Sequence, residues 1–109
     1  MPTSYKVIAQ SAPSATTNTD IYTVPSATMA VLSTIVVANR AASAATYRIA
    51  VRPNGATLAN QHYLAFDVTV GASDSTTITL GITMDAADVL TVYASTANLS
   101  FNVFGSEIA

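Results

Sequence analysis

The chain has 109 residues, half of them hydrophobic and only 9% charged, against about 25% charged in ordinary soluble domains. That length makes one domain, which buries roughly 65% of its unfolded surface around a single core. A net charge of −2 with four cations leaves no basic stripe for nucleic acid, and the lack of cysteine excludes a disulfide framework and a thiolate metal site.

The opening residues, MPTSYKVIAQSAP, lack the apolar core of a signal peptide, so the expectation is a chain made in a cytoplasm and not exported by the general secretory route. Residues 1–3 read as a loose start and 5–10 as a first strand, with Tyr5, Val7 and Ala9 alternating against Lys6, Ile8 and Gln10. Residues 11–19 form a polar, turn-rich segment around Pro13. Residues 1–19 together could serve as an extended N-terminal arm carrying one strand. Residues 20–24 make a short second strand, stopped by Pro25, which donates nothing to a ladder.

Residues 28–40, TMAVLSTIVVANR, are the longest apolar run. Val31, Ile35 and Val37 are assigned to one face, and Leu32, Val36 and Ala38 to the other. The run is β-branched and apolar on both faces, which predicts a central, covered strand. After a small polar connection at 41–45, residues 46–52 alternate Tyr47, Ile49 and Val51 against Arg48, Ala50 and Arg52, a half-buried strand with a basic outer face. Pro53-Asn54-Gly55 is the sharpest turn signal, because Asn-Gly adopts positive φ at little cost.

Residues 62–70 read as the next strand, with Leu64, Phe66, Val68 and Val70 in phase. Residues 76–82 follow, with Ile78, Leu80 and Ile82 inward. A tight turn at 85–88, with a short helical turn around 84–88 as its variant, leads to strands at 89–94 and 99–104. No membrane-spanning stretch of about 18 apolar residues is present. About eight short antiparallel strands, with turn signals every 8–12 residues, predict an all-β fold: a single small β-sandwich of jelly-roll or Greek-key type over residues 1–109.

Few residues suggest chemistry. His62 is the only histidine and has no visible partner for nucleophilic or metal chemistry, so it reads as an edge or loop residue. Asp74, Asp85 and Asp88 sit in turns near the ends of neighbouring strands, but match no calcium loop and serve equally as turn residues. No catalytic residue, cofactor or metal is expected, and the chain reads as non-enzymatic. Arg40, Arg48 and Arg52 are three of the four cations. If residues 28–40 and 46–52 form a hairpin, they gather as a docking patch whose forks grip carboxylates on a partner. The plainer reading is a solvated strand face with ion pairs to Asp67 or Glu107. The five tyrosines could stack on sugars, with His62, Tyr63, Asp85 and Asp88 as glycan contacts, although tyrosines on strands more often have a buried ring and a wet hydroxyl. Asn98-Leu99-Ser100 fits the N-glycosylation pattern, which has no meaning without secretion.

Three phrases carry a resemblance that runs through nearly the whole chain: YKVIAQSAPSATTNTDIYTVPSATMAVLSTIVVANR, TYRIAVRPNGA and DVLTVYASTANLSFNVFGSEI. Together they resemble small structural proteins of tailed bacteriophages, including those of marine and cyanobacterial hosts. The resemblance implies a β-sandwich accessory protein of the virion, either a capsid decoration or cement protein or a part of the tail or its fibres. Its partners would be itself, as a homo-oligomer with a trimer favoured, and a capsid or tail protein. Neither nucleic acid nor membrane is expected as a partner. A charge-poor, cysteine-free β-domain suits a particle assembled in the host cytoplasm, where subunits cover one another's faces.

Overall fold

A computed structural model describes residues 2–109. Nine strands form two antiparallel sheets: β1 (Thr3–Ser11), β2 (Thr19–Thr23), β3 (Met29–Asn39), β4 (Ala45–Arg52), β5 (Tyr63–Val70), β6 (Ser75–Ile78), β7 (Ile82–Met84), β8 (Val89–Ala94) and β9 (Leu99–Ile108). Sheet A has the order β1-β9-β3-β6, with β7 also on β3, and sheet B has the order β2-β8-β4-β5. The pairs β1·β9, β2·β8, β3·β6/β7 and β4·β5 nest around the β4–β5 connection. The chain is thus a long two-stranded ribbon folded over on itself, and the fold adds β3·β9 and β4·β8. This is the jelly-roll arrangement, with side chains alternating between a shared core and two outer faces.

The core takes Ala30, Leu32, Ile35 and Val37 from β3, Phe101 and Val103 from β9, Tyr47 and Ile49 from β4, and Leu90 and Val92 from β8. Tyr47 meets Phe101 edge to face, with ring centroids 6.3 Å apart. Each large side chain so buried contributes about 1.5–3 kcal/mol. At one end Asn39 ties the β3–β4 connection to the end of β5 and the turn after it. Its Nδ2 donates to the carbonyls of Ser43, Val70 and Gly71, and its Oδ1 accepts the Ala41 N–H.

β3 is central, as its composition predicts, but its faces differ from the sequence assignment. A bulge between Leu32 and Thr34 shifts the phase, so Leu32 joins Ile35 and Val37 in the core while Val31 turns outward. The outer face of β3 is not covered by the rest of the chain, since Met29 is exposed and Val31 and Val36 are half-buried.

Residues 28–40 and 46–52 do not form a hairpin. β3 lies in sheet A and β4 in sheet B, so the connection at 40–44 crosses the sandwich. The expected strand at 76–82 is two strands. It breaks at residues 79–81, where Gly81 has φ 65°, and Leu80 is 58% exposed instead of inward. In β5 a register shift at Asp67 (φ 52°) ends the single phase, so Val70 is buried while Leu64 and Phe66 are exposed. The Asn-Gly turn holds, with Asn54 and Gly55 at φ 52° and 66° in a 3-10 turn over Pro53–Gly55. A second 3-10 turn spans Asn60–His62, whereas 85–88 is a plain turn and no helical turn.

Candidate functional site

Exposed aromatic side chains stand on the outer faces of both sheets. On sheet A, β1 presents Tyr5 and Val7, which are 86% and 49% exposed, and β9 presents Phe104 beside them. The surface dips between Tyr5, Val31, Ser33 and Phe104, leaving an open depression of about 440 Å³ floored by Gly105. Gly105 is required there. A Cβ on it would lie 2.1 Å from the Val31 carbonyl oxygen, so only glycine lets β9 approach β3 at the bulge.

At the opening between the sheets, Glu107 of β9 joins Lys6 of β1 and Tyr22 of β2. It pairs with Lys6 Nζ and accepts the Tyr22 hydroxyl. The Lys6 ammonium first, and the Tyr22 hydroxyl second, hold the Glu107 carboxyl below its ordinary value. Burial, then the Glu107 hydrogen bond, push the Tyr22 phenol upward. The cluster fastens the two sheets where their edges would otherwise part. It was not read from the sequence, because 85 residues separate Tyr22 from Glu107.

On the outer face of sheet B, the Arg48 guanidinium lies between the rings of Phe66 (4.2 Å) and Tyr93 (4.3 Å) and forks onto Asp67 at 2.6 and 3.3 Å. Tyr63 meets Phe66 edge-on at 4.9 Å. Arg52, on the same face, pairs with Asp20 at 2.8 Å and donates to Thr91 Oγ1 and to the carbonyls of Gly55 and Ala56, pinning the loop after β4. Arg40 stands apart at the far end of β3, where it donates to Ser100 Oγ and the Ala97 carbonyl. The three arginines therefore do not form one patch. Arg48 and Arg52 share a face as the alternation predicts, but every fork is already engaged within the chain. To grip a partner's carboxylate, each would have to exchange these contacts.

The predicted glycan residues are dispersed. His62 is buried, and its Nδ1 accepts the Ala59 N–H. Asp88 accepts the N–H groups of Asn54 and Asp85, and Asp85 accepts that of Ala86. These carboxylates shape turns, and only Tyr63 faces outward with other aromatics. Asp74 accepts the Ser75 N–H near Asn39, at the opposite end of the sandwich from Asp85 and Asp88. Among the described residues no three His, Cys, Asp or Glu side chains gather to hold a metal ion. No described helix is long and apolar enough to cross a membrane. No protein-family model matches the chain, and no curated protein matches it.

Proposed function

We propose that the chain is a non-enzymatic structural component of a tailed-phage virion, one that associates with copies of itself and docks on the capsid surface as a decoration or cement protein. The observation that carries this reading is the outer face of sheet A, where Tyr5, Val7, Met29 and Phe104 stand exposed on a jelly roll with very few charges. Several exposed aromatic and apolar side chains on one sheet face of a small domain point to an association surface, and jelly rolls recur in viral shells. The mechanism is association: an interface of roughly 800 Å² per partner holds one copy, and repetition over a particle adds avidity. Immunogold labelling of purified particles tests it. Label over the heads supports a decoration role, and no label with the epitope shown to be accessible overturns the virion reading.

The aromatic group Tyr63, Phe66 and Tyr93 on sheet B favours a second reading, a tail- or fibre-associated protein that binds glycans, since Phe66 is 54% exposed and its ring is braced by Arg48. Label confined to the tail, together with saturable glycan binding lost in Phe66→Ala, would support it. A glycan array without saturable binding removes it.

A further inference from the structure

Four strand edges bound the two sheets, and three of them are blunted. β2 is five residues long and is followed closely by Pro25. β5 is broken by the irregularity at Asp67. The β6/β7 edge is two pieces of four and three residues, interrupted at Gly81. Short strands, proline and bulges are how proteins stop edges from adding strands. β1 differs. It runs nine residues without proline, and Thr3–Val7 pairs regularly with β9 and is exposed throughout. Its one charge, Lys6, is engaged by Glu107, so no free lysine guards the edge.

The register shows which backbone groups point outward. The Ala109 N–H donates to the Pro2 carbonyl at 3.0 Å, so Pro2, Ser4 and Lys6 face β9. By alternation, Thr3, Tyr5 and Val7 direct their N–H and C=O groups away from the sheet. We infer that β1 pairs antiparallel with β1 of a second copy, about a two-fold axis at Tyr5, joining the two A sheets into one.

The register follows from the residues. Tyr5 falls opposite Tyr5 of the second copy and Thr3 opposite Val7, so every outward-pointing residue of the regular stretch finds a partner, and each pair exchanges two N–H···O=C bonds. Lys6 falls opposite Ser4, which keeps the two ammonium groups from facing each other. A register centred on Lys6 would oppose like charges and present the wrong backbone groups. One centred on Val7 would run into the bulge between Val7 and Ala9. Thr3, Tyr5 and Val7 share the outer face, so pairing also covers the most exposed aromatic ring of the chain. The second copy is the fitting occupant because the strand complements itself. An isologous pair closes and uses up the one open edge on each partner.

The inference gives the self-association proposed above its surface and is tested apart from it. Sedimentation across a dilution series is expected to show a dimer. Tyr5→Pro removes an N–H that β9 does not use and should give a folded monomer, judged by unchanged strand signal in circular dichroism. The chain has no cysteine of its own, so Tyr5→Cys should link two copies under mild oxidation, because Cα atoms of such a pair lie about 5.5 Å apart, within disulfide reach. Ser75→Cys, on the β6 edge, sets the rate of chance encounter. Crosslinking of Tyr5→Cys well above that rate supports the pairing even if Tyr5→Pro fails to fold. A wild-type monomer, or an oligomer that persists in a folded Tyr5→Pro variant, overturns it, as does crosslinking no faster than the control. A folded Tyr5→Pro monomer that still labels particles in full separates a role on the virion from the need for this pairing, and a clean dimer that never labels particles sinks the virion reading alone.

Discussion

Replacing Gly105 with alanine adds one methyl group at the closest approach of β9 to β3. The new Cβ would stand 2.1 Å from the Val31 carbonyl oxygen, 2.9 Å from Leu32 Cα and 3.0 Å from the Val31 carbonyl carbon. These are backbone atoms of the central strand, so no side chain can swing aside. Non-bonded carbon contacts sit near 3.5–4.0 Å, so the strands must part by about 1 Å or more. The parting falls at the β3 bulge, beside Leu32, which is fully buried. Overpacking of this kind costs ~1–3 kcal/mol, and stretching one or two ladder bonds adds about 1 kcal/mol each. A total of roughly 2–5 kcal/mol is a large part of the ~5–15 kcal/mol by which such domains are stable. Thermal unfolding followed by circular dichroism should show Tm lowered by about 8–20 °C. Gly71→Ala is the control. There the nearest atoms to a new Cβ are 3.7 and 3.8 Å away in Asp74, so the change should be neutral or stabilising by up to about 1 kcal/mol. A Gly105→Ala protein that melts with the wild type would refute the close approach and the register drawn from it.

Three other outcomes are expected. Glu107 has its carboxyl lowered in the folded state, so its contribution is complete above the ordinary value of 4.5 and is lost as pH falls through the lower folded value; Tm measured from neutral pH into acid should drop there, and Glu107→Gln should flatten that part of the curve. Tyr22 has the opposite sign: its raised phenol stabilises the fold below about pH 10 and loses that contribution as pH rises further, so Tyr22→Phe should be less sensitive to alkali. Asn39→Ala should cost about 1–3 kcal/mol in urea unfolding, and Asn39→Asp at least as much, because a carboxylate cannot donate to the three carbonyls that Nδ2 now serves.

The strands were legible because alternation of apolar side chains is local. Tyr47, Ile49 and Val51 against Arg48 and Arg52 could be read from eight residues, and the interval 89–94 matches β8 residue for residue. Bulges were not legible, since the slip at Ser33 comes from how β9 fits β3 around Gly105, a fact about two strands far apart in the chain. The same holds for Asp67, where one residue in positive φ turns Leu64 and Phe66 outward. The hairpin expectation failed because neighbours in sequence usually pair in a sheet, while a folded-over ribbon sends β4 to the other layer. For the arginines, the Arg48 partner Asp67 was among those expected, but Asp20 opposite Arg52 was not, because that contact exists only once β2 and β4 flank β8.

Nesting β1 against β9 has a consequence for the order of events during synthesis. The strand that begins at Thr3 waits for partners running from Leu99 to Ile108, and β9 also separates β1 from β3. Sheet A therefore cannot close while β9 is still inside the ribosome. The entropy lost in closing so long a loop grows only with the logarithm of its length, but topologies dominated by distant contacts fold slowly, in milliseconds to seconds. Until that last strand arrives, the apolar side of β3 has no neighbour from β9, and a crowded population of unfinished chains would be prone to stick to one another. Slowing translation before codon 99 should therefore lower the soluble yield.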